Sequence, residues 1–393
     1  MTWQPRSLVT KRAGVLAAFS LGVVAVEAVR PAASYKALEL GASALDLGLV
    51  GGAFGLLSLF AAIPIGRRVD RMGEGRFFVA GVALVGVASL IQFASTSIAF
   101  LVVGQSVVGL GQVSLAISMQ TLAANGPPGT SDTRFGHLAV AAATGQLVGP
   151  MLSGLLIGDG THRLRTDGID RAYLIAALLA ALALATALAA VRSSPRGGPV
   201  LPDRSRPSVR ALIMEPGVRV ALVASLAVLT TIDILIVYLP LFGEERGLTP
   251  AFVGFLLAVR AGAGLVARLF FSPMIRLMGR KLVLNFTLLT AALGMVVLPV
   301  ASGRLQLLGI MAVAGFGLGV GSPMTASWVA SSAPSEARGL ALGVRMTSNR
   351  IGQLLIPGAL GGAALAAGSA VVFIAAATGL AMSAVLAKSS SPG

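Results

Sequence analysis

The residues from Leu174 to Val191 and from Leu360 to Leu386 carry no charged side chain. An apolar run of about 18 residues or more crosses the hydrocarbon of a bilayer as a helix. Runs of this kind recur along all 393 residues, and only 11% of the chain is charged. A soluble domain would carry about 25%. We read helices over 12–32, 46–66, 77–95, 98–122, 135–157, 172–191, 217–240, 250–273, 281–301, 304–330, 337–366 and 369–387. The fold class is an all-α membrane protein with twelve transmembrane helices. The first apolar run continues past the basic stretch Met1–Arg12 to about Val29, longer than a cleavable signal, so we read it as a retained helix.

The same composition excludes several chemistries. There is no cysteine, and the two histidines, His137 and His162, are far apart in sequence. No disulfide, thiol chemistry or metal site is expected, and no cofactor. No Gly-x-x-x-x-Gly-Lys-Ser/Thr loop is present to cradle ATP, and no nucleophile–base set suggests an enzyme. His137, near the start of helix 5, is read as interfacial. The formal net charge of +15 does not point to nucleic acid, because the cations sit in short segments between apolar runs.

Those cations set the orientation. With the N-terminus in the cytoplasm, 19 of the 30 Lys and Arg residues fall on the cytoplasmic side. Seven lie opposite: Arg30, Lys36, Arg163, Arg165, Arg171, Arg246 and Arg304. Cytoplasmic loops hold such an excess. We expect both termini inside, in a multi-pass protein of the bacterial inner membrane. The longest polar interruption, 192–216, holds Pro195, Pro199, Pro202 and Pro207 and cannot bury a core. It divides the chain into six-helix halves, 1–191 and 217–393.

The halves correspond. Gln146 and Pro150 in helix 5 match Gln353 and Pro357 in helix 11 at a displacement of 207. Glu27 and Asp233 are displaced by 206, and Gly109-Leu110-Gly111 and Gly317-Leu318-Gly319 by 208. A nearly constant offset is the mark of a tandem repeat.

Two local patterns complete the picture. After helix 2 the chain reads Gly66-Arg67-Arg68-Val69-Asp70-Arg71-Met72-Gly73, with Arg276-Leu277-Met278-Gly279-Arg280-Lys281 in the matching place after helix 8. Helix 5 reads Gly145-x-x-x-Gly149-Pro150-x-x-x-Gly154. With these motifs the chain resembles the major facilitator superfamily over its whole length, and in particular its twelve-helix drug/proton antiporters. The resemblance implies two pseudo-symmetric six-helix bundles around a cavity bordered by helices 1 and 7. It implies a cytoplasmic latch at Gly66, Asp70, Arg71 and Gly73. It also implies export, carried by Gly145, Gly149, Pro150 and Gly154. Glu74 and Gly75 interrupt the usual basic pair of the latch motif. In helix 4, Gln105 stands where antiporters often carry arginine.

Ionisable groups at membrane depth are costly and mark function. Glu27, placed two-thirds along helix 1, and Asp233 in helix 7 are the candidate proton carriers. Arg260, Arg345, Asn349, Arg350, Gln353, Gln112, Gln146 and Tyr238 are candidate cavity residues, each also readable as an interhelical brace. Arg345, Asn349 and Gln353 are four apart and form one stripe. Arg268 is read as snorkelling. The expected function is proton-coupled efflux of small organic molecules by a monomer, with protons, substrate and lipid as its partners. Uptake of a metabolite or organic anion is the alternative.

Overall fold

The computed structural model describes residues 6–124, 131–158, 162–191, 209–332 and 338–389. Twelve long helices are found there: α1 Arg6–Glu39, α2 Ala44–Met72, α3 Glu74–Phe93, α4 Ile98–Ala124, α5 Ser131–Ile157 and α6 His162–Val191, then α7 Pro216–Glu245, α8 Pro250–Leu269, α9 Arg280–Val297, α10 Arg304–Ser332, α11 Arg338–Ala367 and α12 Ala370–Ser389. Each contains a span long and apolar enough to cross a membrane. Their outward faces carry exposed leucines one turn apart, such as Leu178 and Leu182 on α6 and Leu289 and Leu293 on α9. In lipid such a face has no need of polar groups. Short helices at Val209–Met214 and Phe271–Met278 flank α7 and follow α8.

The chain forms two compact units, Met1–Leu40 with Ala53–Leu201 and Gly41–Gly52 with Pro202–Gly393. In the first, α1 packs on α4, α5 and α6, and α3 packs on α4 and α6. In the second, α7 packs on α10, α11 and α12, and α9 packs on α10 and α12. The second pattern is the first shifted by six helices. The first turns of α2 pack within the second unit, where a Cβ on Gly48 would lie 2.4 Å from the Pro357 carbonyl oxygen and one on Gly52 2.6 Å from that of Leu354. The expected linker falls largely on 192–208, outside the described residues.

The repeat is also legible in the turns. Gly73 ends α2 at φ 86°, and Gly279 precedes α9 at φ 78°. Both stand in the left-handed region, where a side chain would be strained, and they are displaced by 206 residues. The α4 and α10 glycines keep this same offset rather than 208. A Cβ on Gly111 would meet the Gly81 carbonyl, and one on Gly317 the Thr287 carbonyl. Gly109 likewise meets the backbone of Phe54 on α2, and Gly315 that of Arg260 on α8.

Two helix ends run well past their sequence limits: α1 continues to Glu39, and α6 begins at His162. Their charges, which read as loop, neutralise one another between the helices. Lys36 Nζ lies 3.4 Å from Asp170 and 3.7 Å from Glu39. The Thr166 hydroxyl donates to Glu39, and the Arg165 guanidinium stands 5.2 Å from the Tyr35 ring. Arg30 and Lys36 are therefore buried helix residues, 7% and 8% exposed, and not loop cations. Removing Lys36 strands two carboxylates. Lys36→Ala should cost about 1–3 kcal/mol, read as a lowered unfolding midpoint in detergent, while Lys36→Arg retains most of the stability. An unchanged midpoint in Lys36→Ala would show that this network carries no stability.

Candidate functional site: charged residues within the helices

Glu27 lies about two-thirds along α1, as the sequence places it, and near the middle of the apolar span Ala13–Glu39. The residue is 5% exposed. It stands where α5 crosses α1 at backbone contact. A Cβ on Gly149 would lie 2.6 Å from the Glu27 Cβ, and one on Gly145 2.3 Å from a Val23 methyl. Small residues four apart let the helices approach this closely. Pro150 follows directly and supplies no amide N–H to the helix, which leaves one ring of the α5 ladder open here. Gly154 is buried one turn further on.

One turn after Glu27 comes Arg30, on the same face of α1 by helical spacing. Its guanidinium stacks over the Phe54 ring at 4.1 Å. A cation over an aromatic face is stabilised by the ring's charge distribution, more strongly when dry. The helix read over 12–32 already contains Arg30, although the orientation argument counts it with the cations of the outer side.

The counterpart acid, Asp233, is 4% exposed and close to the middle of the α7 span Gly217–Glu245. Arg260, 4% exposed, is held on α8 where Gly315 of α10 crosses its backbone. Two turns on, Arg268 Nε donates to the Gly319 carbonyl of α10 at 3.1 Å. Pro323 lies four residues beyond Gly319 and lacks the N–H that would have closed the helical ring to that carbonyl. Arg268 fills this vacated position, so it is an interhelical donor and does not snorkel.

On α11 the expected stripe separates into two groups. Arg345 is buried against α10, with Nη2 donating to the Ser322 carbonyl at 3.0 Å, the Ser322 hydroxyl at 3.3 Å and Thr325 Oγ1 at 3.2 Å. Asn349 is buried beside it. Arg350 and Gln353 are half-buried and bond one another at 2.7 Å. Gln353 therefore partners Arg350 and not the Arg345 stripe.

Tyr238 is wholly buried, its hydroxyl donating to the Pro357 carbonyl at 2.7 Å and approaching that of Ala44 at 3.3 Å. It ties α7 to α11 and to the start of α2, which leaves it no open cavity face. Gln112 and Gln146 are half-buried on α4 and α5, and His137 is exposed near the start of α5. Gln105 is buried, and its Oε1 has no hydrogen-bond partner. Of the latch residues, Gly66 is half-buried and Gly73 makes the turn; the side chains of Asp70 and Arg71 lie outside the described residues. No cluster of three His, Asp or Glu suited to a metal occurs among the described residues.

Twelve spans in two repeated bundles, with acids and arginines at membrane depth and freed carbonyls braced across helices, define a polytopic transport protein. The model for the Major Facilitator Superfamily matches residues 14–249 and 221–390. The chain belongs to that superfamily: it is a secondary transporter and not an enzyme. It is 30% identical, over 129 residues, to an uncharacterised transporter of this type from Methanocaldococcus jannaschii. That match spans 33% of each chain. Among solved structures it is similar to a bacterial homologue of the human lysosomal transporter Spinster, inward-facing and unoccupied, with TM-score 0.75, 13% identity and 98% and 97% of the two chains covered. It is similar also to the nucleoside transporter NupG, with TM-score 0.76, 12% identity and 96% and 99% covered. These likenesses establish the fold.

Proposed function

We propose that this transporter exports small organic molecules against a proton gradient by alternating access, with Glu27 and Asp233 taking up and releasing the proton. The observation that carries the reading is the position of Glu27. It is a buried carboxyl group inside the apolar span Ala13–Glu39, set at the crossing where Gly145 and Gly149 bring α5 onto α1. A carboxylate is costly at that depth and a neutral acid is not. Protonation at this crossing therefore changes the energy of the α1–α5 packing itself, which is what coupling requires. Asp233 stands at the equivalent depth in the repeat.

The remaining parts follow the same reading. Both termini face the cytoplasm of a bacterial inner membrane, and counting Arg30 and Lys36 as buried α1 residues rather than outer cations strengthens that cation bias. Segment 192–216 links halves 1–191 and 217–393, Asp70 and Arg71 latch the cytoplasmic side, and the monomer is the working unit. Arg260, Arg350, Gln353, Gln112 and Gln146 contribute to the substrate path. The test is proteoliposomes with an internal pH dye, challenged with a panel of organic cations, anions and neutral compounds under an imposed gradient. Export predicts substrate-induced proton release from acid-loaded vesicles. If no compound on the panel moves protons, proton-coupled export is wrong.

A further inference from the structure

We infer that Arg345 and Asn349 of α11, with Ser322 and Thr325 of α10, form a binding site for an oxyanion, a carboxylate or a phosphate. The inference rests on the transporter reading, holds for either direction of transport, and gives the transported molecule a charge.

Arg345 is 8% exposed, yet among the described residues no carboxylate partners it. All three of its hydrogen bonds go to neutral oxygens, those of Ser322 and Thr325. Its Nε is buried with no partner. The other buried cation near a helix end, Lys36, is matched by Asp170 and Glu39. A guanidinium buried without a counter-charge is strongly disfavoured unless an anion joins it. Of its planar fork of N–H donors, Nη2 is spent on Ser322 and Thr325, and the Nε–H is left to donate to an oxygen of a carboxylate or phosphate in a charge-assisted hydrogen bond.

The surroundings hold the fork and leave part of it for a ligand. Thr325 Oγ1 donates to the Gly321 carbonyl at 2.8 Å, so its lone pairs remain to receive Arg345. One turn along α11, Asn349 is 6% exposed and its Oδ1 has no partner. Its amide carries two donors as well as that oxygen, and rotation about its last bond exchanges them. A brace between helices would need only the Nη2 contacts; it explains neither the unpartnered Nε nor the unpartnered amide oxygen. Arg345 lies two turns from the start of α11 and Thr325 two turns from the end of α10, so the site sits toward one end of this helix pair.

Two sources carry this chemistry, a soluble organic acid and an anionic lipid headgroup. The experiment measures binding without a gradient, so it stands apart from any failure of proton coupling. The full chain is placed in nanodiscs of pure phosphatidylcholine and titrated calorimetrically with benzoate and phenyl phosphate, then with neutral benzamide and cationic benzyltrimethylammonium. Saturable binding of either oxyanion, with none of the other two, is expected. Arg345→Gln should weaken it by about tenfold or more, with Arg345→Lys in between. Should Arg345→Gln fail to fold, Asn349→Leu keeps the interhelical contacts and is expected to weaken binding without lowering the unfolding midpoint. Adding phosphatidylglycerol is the second arm. A midpoint rise in wild type that Arg345→Gln lacks, with no response to the soluble anions, assigns the site to a headgroup. No response in either arm, or equal responses in wild type and Arg345→Gln, overturns the site.

Discussion

Glu27→Gln is expected to abolish gradient-driven accumulation while leaving the protein folded and its substrate binding intact. The amide is isosteric with the acid and stays neutral, so the crossing with Gly149 is kept while the proton site is lost. A charge moved through a potential of 100 mV is worth about 2.3 kcal/mol. Losing one coupled proton therefore lowers the attainable substrate gradient by roughly fifty-fold at that potential. Accumulation in proteoliposomes under an imposed potential measures this directly, and substrate exchange without a gradient is the control. Asp233→Asn should reproduce the loss if the second acid carries a proton too. Accumulation at wild-type levels in both variants would end the assignment of coupling to these acids.

Much of this arrangement could be read from the chain, and the failures are instructive. The spans are legible because lipid tolerates no amphipathic compromise: an apolar run of the right length has few other uses. The repeat is legible from Gln146–Pro150 against Gln353–Pro357, since a proline inside a helix has a position-specific cost. The register of α4 on α10 is not. Gly315, Gly317, Gly319 and Gly321 alternate along α10, so a Gly-x-Gly pattern matches at more than one offset. Only the neighbours, Gly81 for Gly111 and Thr287 for Gly317, select 206. The ends of α1 and α6 misled for a different reason. A charge near a helix end looks like loop until its partner is known, and the partners of Lys36 lie partly on another helix, more than a hundred residues away. The α11 stripe fails in the same way, because spacing places Arg350 and Gln353 on a helix without saying that they bond each other.

The packing that positions the acids should prove less forgiving than the acids themselves. A Cβ at Gly109 would lie 1.8 Å from the Phe54 carbonyl oxygen, and one at Gly315 2.2 Å from that of Arg260. In each case the obstructing atom is backbone, so no side chain can rotate away and the helices must part. Placing Ala in a helix in place of Gly ordinarily gains about 0.5–1 kcal/mol. Overpacking ordinarily costs about 1–3 kcal/mol, and these contacts lie at its upper end. The clash wins, and both Gly109→Ala and Gly315→Ala should lower the unfolding midpoint. Gly379→Ala is the matched control: it too is helical, but a Cβ there meets nothing within 4 Å, so that variant should be neutral or slightly stabilised. The consequence of Gly109→Ala extends to function. Phe54 carries the ring on which Arg30 stacks, and Arg30 is one turn from Glu27. Pushing the Phe54 backbone away from α4 therefore disturbs the surroundings of the proton site, and accumulation should fall by more than the loss of folded protein accounts for. Gly109→Ala protein that melts at the wild-type temperature would show that α2 and α4 are not in backbone contact there, and the link from that crossing to Glu27 would go with it.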